Sequence, residues 1–133
     1  MNVVAINVML QALVALLAEG ARFVACDGVK PVSGGAITTR LAAAVLAVPA
    51  GAVGAGQLAL VQADAGGDLA EGTGVPTWGR LELADGTWIE DFTVSGMSGS
   101  GQVKIEVIDP PAGDPEGKIY QGGRFYLGSV ILG

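Results

Sequence analysis

The side chains able to move a proton or hold a ligand are sparse in this sequence. The densest group, Trp78, Arg80, Glu82, Glu90 and Asp91, falls in one short stretch. Two carboxylates converging on a cleft are what glycoside hydrolysis requires. Glu82 and Glu90 do not qualify, because the hairpin derived below puts them on opposite faces. The chain has no histidine, which removes the commonest general base, the usual Ser and Cys triads and most transition-metal sites. Cys26, the single cysteine, lies in an apolar run without a basic partner and reads as a buried structural thiol. No glycine pair carries the Lys-Ser/Thr tail of a phosphate-binding loop. Asp109, Asp114 and Glu116 cluster oxygens as a Ca²⁺ loop does, but without its ordered spacing, so a solvated acidic loop is the favoured reading. Trp78, Trp88, Tyr120 and Tyr126 have rings suited to sugar stacking, though core or interface packing is favoured for them. Trp78, placed beside Arg80 on a polar face, is the position where stacking stays open. No catalytic, cofactor-binding or metal-ligating residue is therefore expected, and the chain is read as a non-enzyme without a cofactor.

These side chains must be positioned by the segment Thr77–Val94, TWGRLELADGTWIEDFTV. Its period-2 pattern around Asp85-Gly86 predicts an antiparallel hairpin with a two-residue type I′ turn. That register sets Ala84 opposite Thr87, Leu83 opposite Trp88, Leu81 opposite Glu90 and Arg80 opposite Asp91. Leu81, Leu83, Trp88, Phe92 and Val94 then share a core face, and Arg80, Glu82, Thr87, Asp91 and Thr93 the other. Arg80–Asp91 becomes a cross-strand ion pair. Glu90 is discordant on the apolar face, and a place at the sheet edge is the favoured reading because unpaired buried carboxylates are costly.

Around the hairpin, Ile6, Leu10, Leu13, Val14 and Leu17 recur at helical spacing and Gly20 follows, which predicts a helix over 3–19. The run is short for a membrane span, is interrupted by Asn7 and Gln11, and has no basic residue before Arg22 as a secretory signal would. A helix so apolar on most sides is expected to dock on its own sheet and on a neighbouring subunit. Strands are predicted at Ala21–Cys26, Thr38–Val48, Gln57–Gln62, Gln102–Ile108 and Arg124–Leu132, with Ala50–Gly56, Ala63–Gly74, Gly96–Gly101 and Asp109–Lys118 as loops or turns. Short strands between turn signals with one N-terminal helix predict a mainly β single domain over 1–133, an antiparallel β-sandwich of jelly-roll or Greek-key type.

Composition bounds the partners. Half of the residues are apolar and 15% are charged, below the usual quarter or so. So little charge implies that copies of the chain or a partner cover part of the surface. With a net charge of −6 and no basic cluster, nucleic acid and anionic membrane are not expected partners.

The segment GTGVPTWGRLELADGTWIEDFTVSGMSGSGQVKIEV resembles a motif of small structural proteins in the virions of tailed bacteriophages. The matching positions are Gly72, Thr73, Trp78, Arg80, Asp85, Gly86, Asp91, Val94 and Gly96, then Gly122, Gly123 and Phe125 ahead of the terminal strand. The resemblance implies a homo-oligomeric cement or decoration protein, located in the virion after assembly in the host cytoplasm. Its implied partners are the major capsid protein or other virion proteins. A neck or tail component and a carbohydrate-binding β-sandwich module are the alternatives.

Overall fold

The computed structural model describes residues 2–32 and 34–130. A single helix, α1 (Val3–Leu16), is followed by eight strands: β1 (Arg22–Cys26), β2 (Arg40–Gly54), β3 (Gln57–Gln62), β4 (Asp68–Leu69), β5 (Trp78–Glu82), β6 (Trp88–Gly96), β7 (Val103–Val107) and β8 (Arg124–Val130). The chain is thus mainly β with an N-terminal helix, as expected. The strand order is β3-β2-β1-β5-β6-β7-β8-β4 in one open sheet. The sheet curls so that β3, at one edge, lies against β8, near the other. It is also mixed, because β6 and β7 run parallel. The finer expectation of an antiparallel jelly-roll or Greek-key sandwich is not met by this strand order.

The core lies inside the curl. Phe23 and Ala25 of β1, Leu81 of β5, Phe92 and Val94 of β6, Ile105 of β7 and Phe125 of β8 are buried there. Leu10 and Leu17 close one side, so α1 plugs the curl over β2 and β3. The Asn2 side chain caps α1 by accepting a hydrogen bond from the Val4 N–H (2.7 Å). The helix ends at Leu16, three residues short of the predicted 3–19, because the chain must bend at Leu17–Gly20 to enter β1. At one seam the curl is closed by a side chain. The Gln62 amide oxygen accepts from the Leu127 N–H (2.7 Å), while its nitrogen donates to the Phe125 carbonyl (3.4 Å) and to Asp68 (2.8 Å). One primary amide thereby supplies the donor and acceptor that a neighbouring strand would offer β8.

Two hairpins depart from the predicted turns. Arg80↔Asp91 and Leu81↔Glu90 pair as expected, but Glu82 pairs with Trp88, which leaves Ile89 bulged. The loop is Ala84-Asp85-Gly86: the Gly86 N–H donates to the Leu83 carbonyl (2.9 Å) and the Leu83 N–H to Thr87 (3.0 Å). Only Gly86 has positive φ (88°), so the turn is the three-residue type with a left-handed glycine and not type I′. Leu83 therefore does not face Trp88, nor Ala84 Thr87. Trp88 moves off the core face to 38% exposure, and Ile89 packs on the core instead. The two-residue turn with two positive φ values occurs at Ala55-Gly56 (52° and 75°), closing Gly54↔Gln57. The predicted loop Ala50–Gly56 is thus mostly strand. β2 runs on through Pro49 to Gly54, with an irregularity between Leu46 and Gly51 that accommodates the missing N–H.

Elsewhere, Gln57–Gln62 is a strand as predicted, and Ala21–Cys26 and Gln102–Ile108 hold nearly to their limits. The connection Ala63–Gly74 contains the two-residue β4. The last predicted strand reaches Val130, and the remainder of Arg124–Leu132 lies outside the described residues. It lies beside the edge strand β4. Between β6 and β7 the chain reverses within residues 97–102 and then runs parallel, a far shorter link than the dozen or more residues usual for parallel neighbours. Close packing makes it fit: a Cβ on Gly101 would stand 2.4 Å from the Ser95 backbone nitrogen. The Ser95 hydroxyl accepts from the Gly101 N–H (2.9 Å).

Candidate functional site

The chemistry-bearing residues of the hairpin do come together, on the face of β1, β5 and β6 away from the core. Arg80 Nε and Nη2 donate to the two carboxylate oxygens of Asp91 (2.7 and 3.0 Å), and Nη2 also donates to the Gly35 carbonyl (2.6 Å). Both side chains are under a tenth exposed. The guanidinium lies 5.6 Å from the Trp78 ring centroid, and Trp78 Nε1 donates to the Asp27 carbonyl (2.9 Å). Two residues along β5, the buried Glu82 pairs with Arg22 of β1. The segment between β1 and β2 covers this cluster, its Ile37 packing on Val24, Cys26 and Trp78. Thr77 Oγ1 ties that segment down by donating to Gly28.

Electrostatics make the cluster a lock without a vacancy. Burial pushes the Asp91 carboxyl up, but the hydrogen bonds and charge of Arg80, aided by Trp88 and the Gly34 N–H, hold it below the usual carboxylate range. The hydrogen bond to Asp91 raises Arg80 in turn. Burial pushes the neighbouring Cys26 thiol up to about 12, which leaves it protonated and without nucleophilic character at neutral pH. Among the described residues no buried side-chain N or O lacks a partner. The cluster can fasten a loop and fix strand register; it offers no free acid, base or nucleophile.

The other candidates do not converge. Glu82 and Glu90 occupy opposite faces as expected. Glu90 is exposed and accepts from the Asp91 N–H (2.9 Å). It sits where β6 has no pairing to β7, a local edge within the sheet. In the acidic loop, Asp114 accepts from the Tyr120 hydroxyl and Glu116 from Ser98. The Ser98 bonds hold the Glu116 carboxyl low. Among the described residues no group of three or more His, Cys, Asp or Glu is placed to hold a metal ion. Trp78 is 2% exposed and packs in the second core, so its ring faces are not available for stacking. A groove of about 370 Å³ lies under this loop, floored by Ile105, Val107 and Pro110, and a hollow of about 260 Å³ lies between Leu16 and Leu83.

The surface carries a different signal, an absence of charge. Residues 2–18 and 41–63 contain no ionisable side chain. The fold brings these separate segments together, because α1 packs on β2 and β3. The result is an end of the molecule whose two outer surfaces are apolar: Val3, Val4, Val8, Met9 and Leu16 on the helix, and Val45, Val48 and Val61 on the strands, each at least 41% exposed. Exposed apolar surface of this kind, free of charge, marks contact sites. No single element reveals it. The signal lay in the spacing of the charges along the chain, and only the packing of α1 on β2–β3 joins the two blank segments. No helix of the described residues is long and apolar enough to cross a membrane. No family model matches the chain, and no curated protein or solved structure matches it either.

Proposed function

We propose that this chain is a structural protein of a tailed-phage virion, a cement or decoration protein that stabilises the shell by contact with the capsid and with copies of itself. The observation that carries the reading is the charge-free, apolar end formed by α1, β2 and β3. A protein that acts by covering and being covered needs such a surface, and needs no cleft. The buried Arg80–Asp91 lock supports it in a second way, since a rigid body repeated over a lattice gains stability from copy number more than from affinity per contact. The curled sheet also encloses a core from both sides, as the layers of a sandwich would. Action through contact, without catalysis or a cofactor, is part of the same proposal.

The test is retention on particles. Purified chain added to shells that lack it is expected to band with them in a density gradient at a fixed copy number and to raise the temperature at which they lose DNA. Chain that stays at the top of the gradient, and is absent from density-banded native particles, overturns the reading. A neck or tail location would show as a few copies per particle instead of one per capsomer.

A further inference from the structure

The apolar end has two outer surfaces, and the helical one is self-complementary. We propose that the outer face of α1 is the contact between two copies of this chain, packed antiparallel about a two-fold axis, with Val8 of one copy against Ala12 of the other. The proposal does not depend on a virion: a dimer that binds no shell would leave it intact.

Charge singles out the occupant. The chain carries 13 acidic and 7 basic residues, so two copies repel wherever ionised surfaces meet. All twenty of these charges lie outside residues 2–18 and 41–63. The exposed side of α1 is therefore a place where a second copy approaches without bringing like charges together, and a charged partner gains nothing there. Area agrees. From the fractional exposures of Val4, Val8, Met9 and Leu16, with the exposed alanines between them, the face offers roughly 550 Å² per copy. An isologous pair would bury about 1,100 Å², just above the roughly 1,000 Å² that a specific interface must clear.

The sequence of the face sets the geometry. At 100° per residue, Ala5, Val8, Ala12 and Ala15 form the outermost line, opposite the buried Leu10. A two-fold axis through the middle of this line puts Val8 opposite Ala12 twice and Ala5 opposite Ala15 twice. Large then meets small, and the helix backbones can approach closely. Val4 falls opposite Leu16 at the flank. A parallel pair would instead set Val8 on Val8 and leave the alanines facing a gap. The antiparallel arrangement also places each helix N-terminus beside its neighbour's C-terminus.

Sedimentation equilibrium of the full chain is expected to give twice the 13.3 kDa monomer mass. Val8→Glu, at a side chain 64% exposed, is expected to leave the circular dichroism spectrum and the urea midpoint of the monomer unchanged. It is expected to weaken the dimer by about 100-fold or more, the effect of burying an unpaired carboxylate. Val61→Glu, on the strand surface of the same end, is expected to leave the mass unchanged. Mixing Val8→Lys chains with Ala12→Glu chains is expected to restore a dimer that neither forms alone. Four results overturn the proposal: a wild-type chain that stays monomeric up to its solubility limit; a mass untouched by Val8→Glu; equal loss with Val61→Glu; or no rescue in the mixture. A monomer that binds vesicles of uncharged lipid through α1 would assign the face to a membrane surface and overturn it as well.

Discussion

The middle of this sheet and one of its ends treat charge in opposite ways. Where β1, β5 and β6 meet, Arg80, Glu82 and Asp91 are buried and paired. Where β2 and β3 meet α1, no ionisable side chain occurs inside or outside. A protein free to place its few charges for solubility would do the reverse. Buried ion pairs contribute little net stability over apolar residues of like size, but they tolerate one arrangement only. The difference therefore separates two tasks. The charged middle fixes register and pins the segment between β1 and β2, while the uncharged end is the surface proposed above for contact.

Breaking the charged middle should have the largest effect. Asp91→Ala leaves the Arg80 guanidinium buried without its partner and is expected to cost about 3–5 kcal/mol, read as a lower urea midpoint. The double replacement Arg80→Met with Asp91→Leu is expected to restore most of that loss. A double variant as unstable as Asp91→Ala would show that the pair supplies stability and not merely register. Next in size, Gly101→Ala drives a methyl into the Ser95 backbone and is expected to cost about 1–3 kcal/mol in thermal or urea unfolding.

Titration sharpens the same contrast. The Asp91 carboxyl is depressed in the folded state, so its contribution is present above the unfolded carboxylate pKa and is lost as pH falls through the folded value. The urea midpoint should drop on the acid side, and Asp91→Asn should flatten that drop. Cys26 works in the other direction. Its thiol is raised from 9.0 to about 12, so its contribution is complete below pH 9 and is lost as pH rises toward 12. Cys26→Val should reduce this alkaline loss. The smallest effect belongs to the uncharged end. Ala55 holds φ at 52°, which an L-residue adopts at a cost, and Ala55→Gly is expected to stabilise by up to about 1 kcal/mol.

The charged middle was legible in the sequence because its grammar is local. Alternation and an Asp-Gly turn brought Arg80 to Asp91, and a loop longer by one residue, balanced by the bulge at Ile89, left that pair intact while displacing Trp88. The β2–β3 hairpin was hidden for the same kind of reason. Ala55 is no turn signature, and Pro49 normally ends a strand, yet pairing to β3 and cover by α1 carry β2 past both. The tight parallel return from β6 to β7 contradicts the usual length of such links and is permitted by glycines that only the packed structure shows to be necessary. No sequence window reports the apolar end, since its two halves are more than twenty residues apart and each alone looks like ordinary core.

Gln62 gives the sheet a property that no strand list conveys. Its side-chain amide bridges β3 to Phe125 and Leu127 of β8, while backbone bonds from residues 71 and 72 to Leu41 and the Ala42–Ala70 bridge join β2 to the far edge. Between β3 and β8 a side-chain clasp stands where a ladder would, so thermal fluctuation should part this seam while the strands on either side keep their neighbours. The Leu127 amide depends on that one oxygen, so solvent deuterium should enter there before it enters the ladder-bonded amides of β8.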